Sequence, residues 1–309
     1  TWEGRPVLEF AKGLANRQTG KPNEMSTRFA TASISKMFTA LCVARLVDAG
    51  LCRFDQPLVE IVPTLRPHVD SEVTLAGLLS HTSGLGDYID DEAERPFAGM
   101  DVGRLDSVQA FLPQVLAVPR RAPGTFFYSS AGYILLGLAI EMLTAESFPQ
   151  AMSRWVTEPA GLRTTGFPSL ADPAEDMAIG YLPDGQSNIG HLPIVGGPDG
   201  GIVTTAEDLR RLFEALESGG LISESAWQFL GRSVSPIGWQ TYGHGFYITP
   251  AAGRIWHGHT GSDPGVSARV AFAGGTGSSI VVLCNVESIA FQVFRLIREG
   301  LDTGGTALG

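Results

Sequence analysis

The most apolar run of the chain covers residues 33–49, where hydrophobic side chains occupy almost the whole circumference of a helix. A helix that is apolar on nearly every side is buried in the middle of a domain. Gly50 follows the run, at the position where a left-handed residue ends many helices. The sequence therefore predicts a central buried helix over 33–49.

The stretch from about 55 to 190 has helical periodicity interrupted by loops. Further along, Thr205 precedes Asp208 by three residues, which predicts a capped helix start and a helix that runs to Glu217. A final amphipathic helix is predicted over about 288–300. The shorter predicted helices are 74–80, 107–117, 131–146 and 149–157.

Strand-like patterns occur near both ends of the chain. Residues 5–16 predict an edge strand, and the glycines of 274–277 predict the turn of an antiparallel hairpin. The later predicted strands are 242–249, 254–258, 265–273 and 278–285.

Strands at both chain ends with helices between them predict an α+β fold. We expect one antiparallel β-sheet shared by the terminal regions and flanked by helices. We expect residues 1–54 and 200–309 to form this α/β sheet domain and residues 55–199 to form an inserted, mostly helical subdomain.

Composition narrows the function classes. The 309 residues are 44% hydrophobic and 17% charged, with a formal net charge of −10. An acidic chain without basic runs is a poor candidate for nucleic-acid binding, and no long uncharged apolar run predicts a membrane span. Cys42, Cys52 and Cys284 form neither a disulfide framework nor a zinc pattern. Localisation and oligomeric state stay open.

Ser33-Ile-Ser-Lys36 opens the predicted buried helix, and a spacing of three places Ser33 and Lys36 on one face. A serine hydroxyl needs a base to become a good nucleophile. Burial disfavours the charged form of a lysine and lowers its pKa, so Lys36 is a candidate base. The alternative is that Ser33 caps the helix while Lys36 points into water, and Ser-x-x-Lys alone favours this alternative.

Two further segments carry candidate chemistry. Tyr128 and Ser130 precede the predicted helix 131–146. A tyrosine hydroxyl can move a proton between nucleophile and leaving group, although Tyr128 could equally be a buried aromatic and Ser130 a helix cap. The glycines of Trp256-His-Gly-His-Thr-Gly-Ser262 let a strand edge approach a bound group and offer N–H groups to an oxyanion.

The two histidines of the last segment could also suggest a metal pair. His257 and His259 alternate on opposite faces of a strand, so both cannot face one site. Asp263 is the only obvious third ligand. We therefore expect no metal and no cofactor.

The three segments, in this order, resemble the serine β-lactamase and penicillin-binding-protein superfamily, in its branch of class C β-lactamases, D,D-peptidases and related esterases. That family carries Ser-x-x-Lys on a buried helix, Tyr-x-Asn on a loop and Lys/His-Thr-Gly on a strand. The chain has Ser33-Ile-Ser-Lys36, Tyr128-Ser-Ser130 and His259-Thr-Gly261. Supporting matches are Leu78-Leu-Ser-His-Thr-Ser-Gly-Leu85, Pro123-Gly-Thr125, Gly132-Tyr-Ile-Leu-Leu-Gly137 and Gly200-Gly-Ile-Val-Thr-Thr-Ala-Glu-Asp-Leu209.

The resemblance implies a role for each of these residues. Ser33 would be acylated, Lys36 would activate it, alone or with Tyr128, and Tyr128 would protonate the leaving group. The N–H groups of Ser33 and Ser262 would form the oxyanion hole. The substrate-binding residues would be Ser130, His259, Gly261 and Ser262.

Two positions depart from the family pattern. Ser130 replaces asparagine and reaches less far toward a substrate amide. His259 replaces lysine, and a neutral imidazole attracts a substrate carboxylate less than an ammonium does. Both departures weaken the expectation of efficient β-lactam hydrolysis or strict recognition of a free carboxylate.

Family members also have a helix and a strand before the strand that corresponds to residues 5–16. Only Thr1 and Trp2 precede the turn at 3–6 in this chain. We expect that the sequence begins after a cleaved or additional segment.

The leading hypothesis is a serine hydrolase or acyltransferase that acts on a small amide or ester through an acyl-Ser33 intermediate. One alternative is a D,D-carboxypeptidase or β-lactamase, and another is a non-catalytic protein that binds penicillin or senses a ligand. Loops 86–106 and 183–199 are expected to shape the pocket. Asp87, Tyr88, Asp90 and Asp91 either border it or form an ordinary solvated loop, and we favour the loop.

Overall fold

The computed structural model describes residues 1–89, 97, 99–251 and 253–302. Within these residues, the strands are β1 Leu14–Asn16, β2 Lys21–Pro22, β3 Phe29–Ala30, β4 Val203–Thr204, β5 Ser235–Ile237, β6 Gln240–Tyr242, β7 Tyr247–Ala251, β8 Arg254–Asp263, β9 Val266–Ala273 and β10 Ser278–Cys284. The helices are α1 Ser35–Asp48, α2 Leu58–Ile61, α3 Leu75–Leu79, α4 Val108–Leu116, α5 Ser130–Thr144, α6 Phe148–Met152, α7 Ala206–Glu217, α8 Glu224–Leu230 and α9 Ile289–Asp302.

The main sheet is an antiparallel meander in the order β10-β9-β8-β7-β6-β5. The predicted hairpin is confirmed, since Ser278 of β10 pairs with Ala273 of β9. The predicted strand 242–249 divides into β6 and β7, because the chain turns at Gly243 and Gly245. A Cβ on Gly243 would lie 2.6 Å from the Leu230 carbonyl oxygen, and Gly245 has a φ of 93°.

The prediction of a long edge strand over 5–16 is wrong. Only Leu14–Asn16 is a strand, and it pairs with β2 instead of joining the main sheet. Val7, Leu8 and Phe10 are 51%, 41% and 57% exposed, so this segment has too little burial to fix it in a sheet. The six-stranded sheet is therefore built from the C-terminal third of the described chain.

The central helix is confirmed as α1, and a 3-10 turn over Ala32–Ile34 leads into it. Its side chains are buried on nearly all sides, and Gly50 follows with a φ of 73°. One hydrophobic cluster joins α1 to α5 and to the strand β9. The helix thus forms a fixed platform between the helical layer and the sheet.

Helices α2 to α6 all lie within 55–199, which agrees with a mostly helical block there. The division of the chain into two domains stays a prediction. Among the described residues, no single helix is long and apolar enough to cross a membrane. Helix α5 and the segment 148–157 reach that length only together, across a bend of 78°.

Candidate active site

Ser33 lies in the 3-10 turn directly before α1, and backbone contacts hold this turn in place. The N–H of Thr31 donates to the Ile202 carbonyl at 3.0 Å, and Ser35 Oγ accepts the Ile202 N–H at 2.8 Å. Ala32 has a φ of 49°, which is strained for a residue with a side chain. The turn is therefore set rigidly against residues 201–202.

Lys36 is fully buried, and polar groups surround its amine. Nζ lies 3.0 Å from Ser33 Oγ, 3.2 Å from Ser130 Oγ and 2.6 Å from the Asp199 carbonyl oxygen. A neutral amine has two N–H groups and one lone pair. A charged Lys36 would donate to all three oxygens, whereas a neutral amine that donates to Ser130 and Asp199 would have its lone pair left to accept the Ser33 hydroxyl proton, as a base beside a nucleophile would.

The Asp199 carbonyl belongs to the glycine-rich segment 196–201. The Pro198 carbonyl next to it accepts the hydroxyl of Thr39 from α1 at 2.6 Å. The segment is thus bonded to α1 at both Thr39 and Lys36.

Glycines make this close packing possible. A Cβ on Gly196 would lie 2.4 Å from the Gly201 carbonyl oxygen, and a Cβ on Gly137 of α5 would lie 2.1 Å from the Pro198 side chain. Both distances are far inside van der Waals contact, so these positions exclude larger residues.

Tyr128 lies in the loop before α5, with its ring centroid 4.9 Å from Lys36 Nζ. The ring also contacts that of His81, at a centroid distance of 4.3 Å. Ser129, not Ser130, caps α5, since its Oγ accepts the Gly132 N–H at 3.1 Å. Ser130 is instead turned toward Lys36.

His259 is buried on β8, and both of its ring nitrogens have partners. Nδ1 donates to the Thr260 carbonyl at 2.7 Å, and Nε2 accepts from the Tyr242 hydroxyl at 3.1 Å. Burial is the largest cause that lowers the pKa of His259, to about 3. The imidazole is therefore neutral at physiological pH. His257 lies against Trp227, so the two histidines do face different surroundings.

Gly261 lets β8 pass beside the turn that carries Ser33. A Cβ at Gly261 would lie 2.0 Å from the Thr31 carbonyl oxygen. Because this oxygen belongs to the backbone, no movement of a side chain could relieve the clash. This close approach brings Ser262 to the same cleft as Ser33.

Gly261→Ala should lower kcat about 10²-fold, because the strand must move away and the Ser262 N–H, which we expect to bind an oxyanion, moves with it. Steady-state kinetics on an ester would measure this. Gly274→Ala is the matched control, since a Cβ there meets nothing within 4 Å. Equal kcat in the two variants would contradict the tight-contact explanation.

Ser33, Tyr128 and Ser262 open onto one cleft of about 1080 Å³. Apolar and aromatic side chains from the 97–102 region, from the loop before α5 and from the sheet form much of its wall: Phe97, Met100, Val102, Phe126, Ile237 and Tyr247. Six residues between 182 and 191 line it as well, in agreement with the predicted role of the 183–199 loop: Leu182, Pro183, Asp184, Gln186, Gly190 and His191. Asp90 and Asp91 lie outside the described residues.

The sequence interpretation gave several polar neighbours of the site no role in it. Asp199 contacts Lys36 through its backbone carbonyl. Every residue type has this group, so the sequence gives no sign of the contact. His81 and Asp87 belong to the segment after α3, and Asp87 bonds to the start of α5, so it is not the solvated loop residue that we favoured. Within the part of the chain that the structure describes, no group of three His, Cys, Asp or Glu residues could hold a metal ion.

This sheet flanked by helices, with a serine hydroxyl beside a buried amine at a cleft, is typical of serine hydrolases with the β-lactamase fold. The family model described as Beta-lactamase matches residues 2–302, and the chain belongs to that family. It is therefore a member of a superfamily of serine esterases, amidases and peptidases.

Similar proteins include both esterases and penicillin-binding proteins. The chain is 28% identical to Esterase EstB of Burkholderia gladioli, over 79% of this chain and 71% of the relative. It is 27% identical to Penicillin-binding protein 4 of Amycolatopsis lactamdurans, over 94% and 81%. The crystal structure of a penicillin-binding protein from Bacillus halodurans matches with a TM-score of 0.87 and 34% identity, over 94% and 91%.

Proposed function

We propose that the protein is a serine hydrolase or acyltransferase that transfers the acyl group of a small ester or amide through an ester on Ser33. The observation that carries this proposal is the 3.0 Å contact between Ser33 Oγ and the fully buried amine of Lys36. A desolvated amine in this position favours its neutral form. The relatives named above support the same class of reaction.

In acylation, Lys36 accepts the proton of Ser33 as Oγ attacks the carbonyl carbon of the substrate. The N–H groups of Ser33 and Ser262 bind the developing oxyanion. As the tetrahedral intermediate collapses, Tyr128 donates a proton to the departing alcohol or amine and regains one from Lys36. The acyl group remains on Ser33.

In deacylation, water or an acceptor alcohol attacks the ester on Ser33. Tyr128 and Lys36 accept the proton of the incoming group, and Ser33 Oγ leaves and takes that proton back. The cycle consumes one water or acceptor and returns every side chain to its starting state.

The site favours substrates without an obligatory carboxylate. His259 is neutral, and both of its nitrogens are already bonded. Ser130 Oγ accepts from Lys36, which occupies one of its two lone pairs and leaves less for a substrate amide N–H. We therefore propose that His259 fixes the β8 edge near Tyr128 and that a small ester or uncharged amide is the preferred substrate.

The test compares p-nitrophenyl esters, amino-acid amides and nitrocefin as substrates, together with labelling by a fluorescent penicillin. We expect turnover of the esters and a mass increase on the peptide that contains Ser33. Efficient nitrocefin turnover would instead indicate a β-lactamase. Release of D-alanine from a D-Ala-D-Ala peptide would indicate a D,D-carboxypeptidase, and penicillin labelling without any turnover a non-catalytic binding protein.

Tyr128→Phe should lower kcat about 10²- to 10⁴-fold with the fold intact, because it removes the proton carrier but keeps the ring. Tyr181→Phe is the matched control, since the Tyr181 hydroxyl accepts the Arg17 N–H outside the site. Ester kinetics and circular dichroism measure the two effects. A wild-type rate in the Tyr128→Phe variant would assign proton transfer to another group.

A further inference from the structure

The side chain of Asp87 extends from the segment after α3 to the start of α5. One carboxylate oxygen accepts the Ser130 N–H at 2.8 Å, and the other accepts the Ala131 N–H at 3.0 Å and the Tyr88 N–H at 2.8 Å. The first N–H groups of a helix have no partner within the helix itself. Asp87 therefore satisfies two of these groups from a position 43 residues away in sequence.

Other residues of the segment 81–87 hold the neighbouring part of the chain. The Ser129 N–H donates to His81 Nδ1 at 3.1 Å, and Ser129 Oγ donates to the Gly86 carbonyl at 2.6 Å. Together with Asp87, these contacts fix the backbone of residues 129–131 to a single segment.

The residues held in this way are those next to the base. Ser130 Oγ lies 3.2 Å from Lys36 Nζ, and Tyr128 precedes it by two residues. Any displacement of the first turn of α5 moves Ser130, and with it the loop that carries Tyr128.

We propose that Asp87 is a positioning residue of the active site, which holds Tyr128 and Ser130 against Lys36 through the backbone N–H groups of α5. This inference rests on the proposed function of Ser33, Lys36 and Tyr128. Asp87 does not touch the reacting atoms. Its effect on the reaction passes through the position of α5.

The carboxylate also gives this contact a pH dependence. Burial raises the pKa of Asp87 from its ordinary 3.8 to about 6, although its backbone hydrogen bonds and Lys36 lower it. The other titratable groups around it are the Tyr88 phenol, whose pKa burial raises, and His81, whose pKa burial lowers. Tyr88 in turn donates to Asp199 at 2.7 Å.

The raised pKa of Asp87 determines how its ionisation affects the stability of the fold. Because the pKa of folded Asp87 is raised, the folded state binds its proton more tightly than the unfolded chain between about pH 3.8 and 6. The contribution of Asp87 to stability therefore falls as pH rises through this range and stays lower above it. An ionised Asp87 is thus a cost to stability at neutral pH, and activity is where its benefit should appear.

Asp87→Asn keeps the size and one oxygen acceptor but removes the charge and the titration. We expect kcat for a p-nitrophenyl ester at pH 8 to fall about 10- to 100-fold, because small misplacements of catalytic groups have effects of this size. We expect KM to change little. The wild-type kcat should fall below about pH 6, and this acid limb should be absent in the variant.

Two control variants isolate the effect. Asp48 also accepts a backbone N–H at a helix start, that of Ser223 before α8, at 2.7 Å, and Asp48→Asn should keep the wild-type profile. His191 lines the cleft, and His191→Gln should keep the acid limb whatever its effect on the rate.

Wild-type kcat and an unchanged acid limb in Asp87→Asn would overturn the proposal, as would loss of the limb in His191→Gln. If the Asp87→Asn variant does not fold, the wild-type profile decides, since constant kcat down to pH 5 excludes a functional titration of Asp87. Failure of the proposed function is a separate result, because it requires Ser33→Ala to retain turnover.

Discussion

Ser33→Ala should reduce ester and amide turnover about 10⁴-fold or more, since loss of the nucleophile removes the covalent route altogether. The variant should fold normally, because the hydroxyl contributes one hydrogen bond with Lys36 at the edge of a cleft. Steady-state kinetics and intact-mass spectrometry after mixing with substrate measure the loss of rate and of the acyl adduct.

Ser80→Ala is the matched control for this experiment. Ser80 is buried, and its hydroxyl donates to the Ala76 carbonyl at 2.8 Å outside the site. It should cost roughly 1 kcal/mol of stability and leave kcat nearly unchanged. Substantial turnover by the Ser33→Ala variant would mean that another group carries the reaction.

Lys36→Met should reduce kcat about 10³-fold or more while stability stays equal or rises. Methionine fills a similar volume without a group to desolvate, whereas a buried amine carries a large desolvation cost. A fall in kcat without a loss of stability would indicate that Lys36 serves the reaction and not the fold. Kinetics and thermal unfolding on the same preparation test both.

Lys21→Met serves as the control, since Lys21 is an exposed amine that donates to the Glu175 carbonyl at 2.8 Å. It should leave both kcat and the unfolding temperature close to wild type. A Lys36→Met variant that turned over substrate normally would remove Lys36 from the mechanism, and one that failed to fold would make the amine a structural requirement.

The sequence was most informative where chemistry depends on residue type and local spacing. Ser33 and Lys36 lie one turn apart by helix geometry alone, and their contact follows once the helix is buried. Tyr128 and His259 required long-range packing, and only the ordered set of motifs linked them to the same site. Their assignment to catalysis and substrate binding stays a prediction until the variants are measured.

What the sequence concealed is mostly backbone chemistry. The carbonyl that binds Lys36 belongs to Asp199, and any residue would supply the same group. Asp87 looked like a solvated loop residue because its partners are N–H groups 43 residues away. The residues of 5–16 are suitable for a strand, but β propensity depends on burial against a partner strand. Residues 5–13 pair with no strand of the main sheet.

The glycine-rich segment 196–201 contacts Lys36, the proposed base, and is separate from the side chains that form the cleft wall. It gives Lys36 a main-chain oxygen and bonds to α1, and neither Gly196 nor the facing Gly137 of α5 has room for a Cβ. The cleft walls, in contrast, are formed by replaceable side chains such as Phe97, Met100 and Ile237. Libraries that randomise these wall residues should therefore change which acyl groups the protein accepts. The contacts of Ser33 and Lys36 should stay as they are.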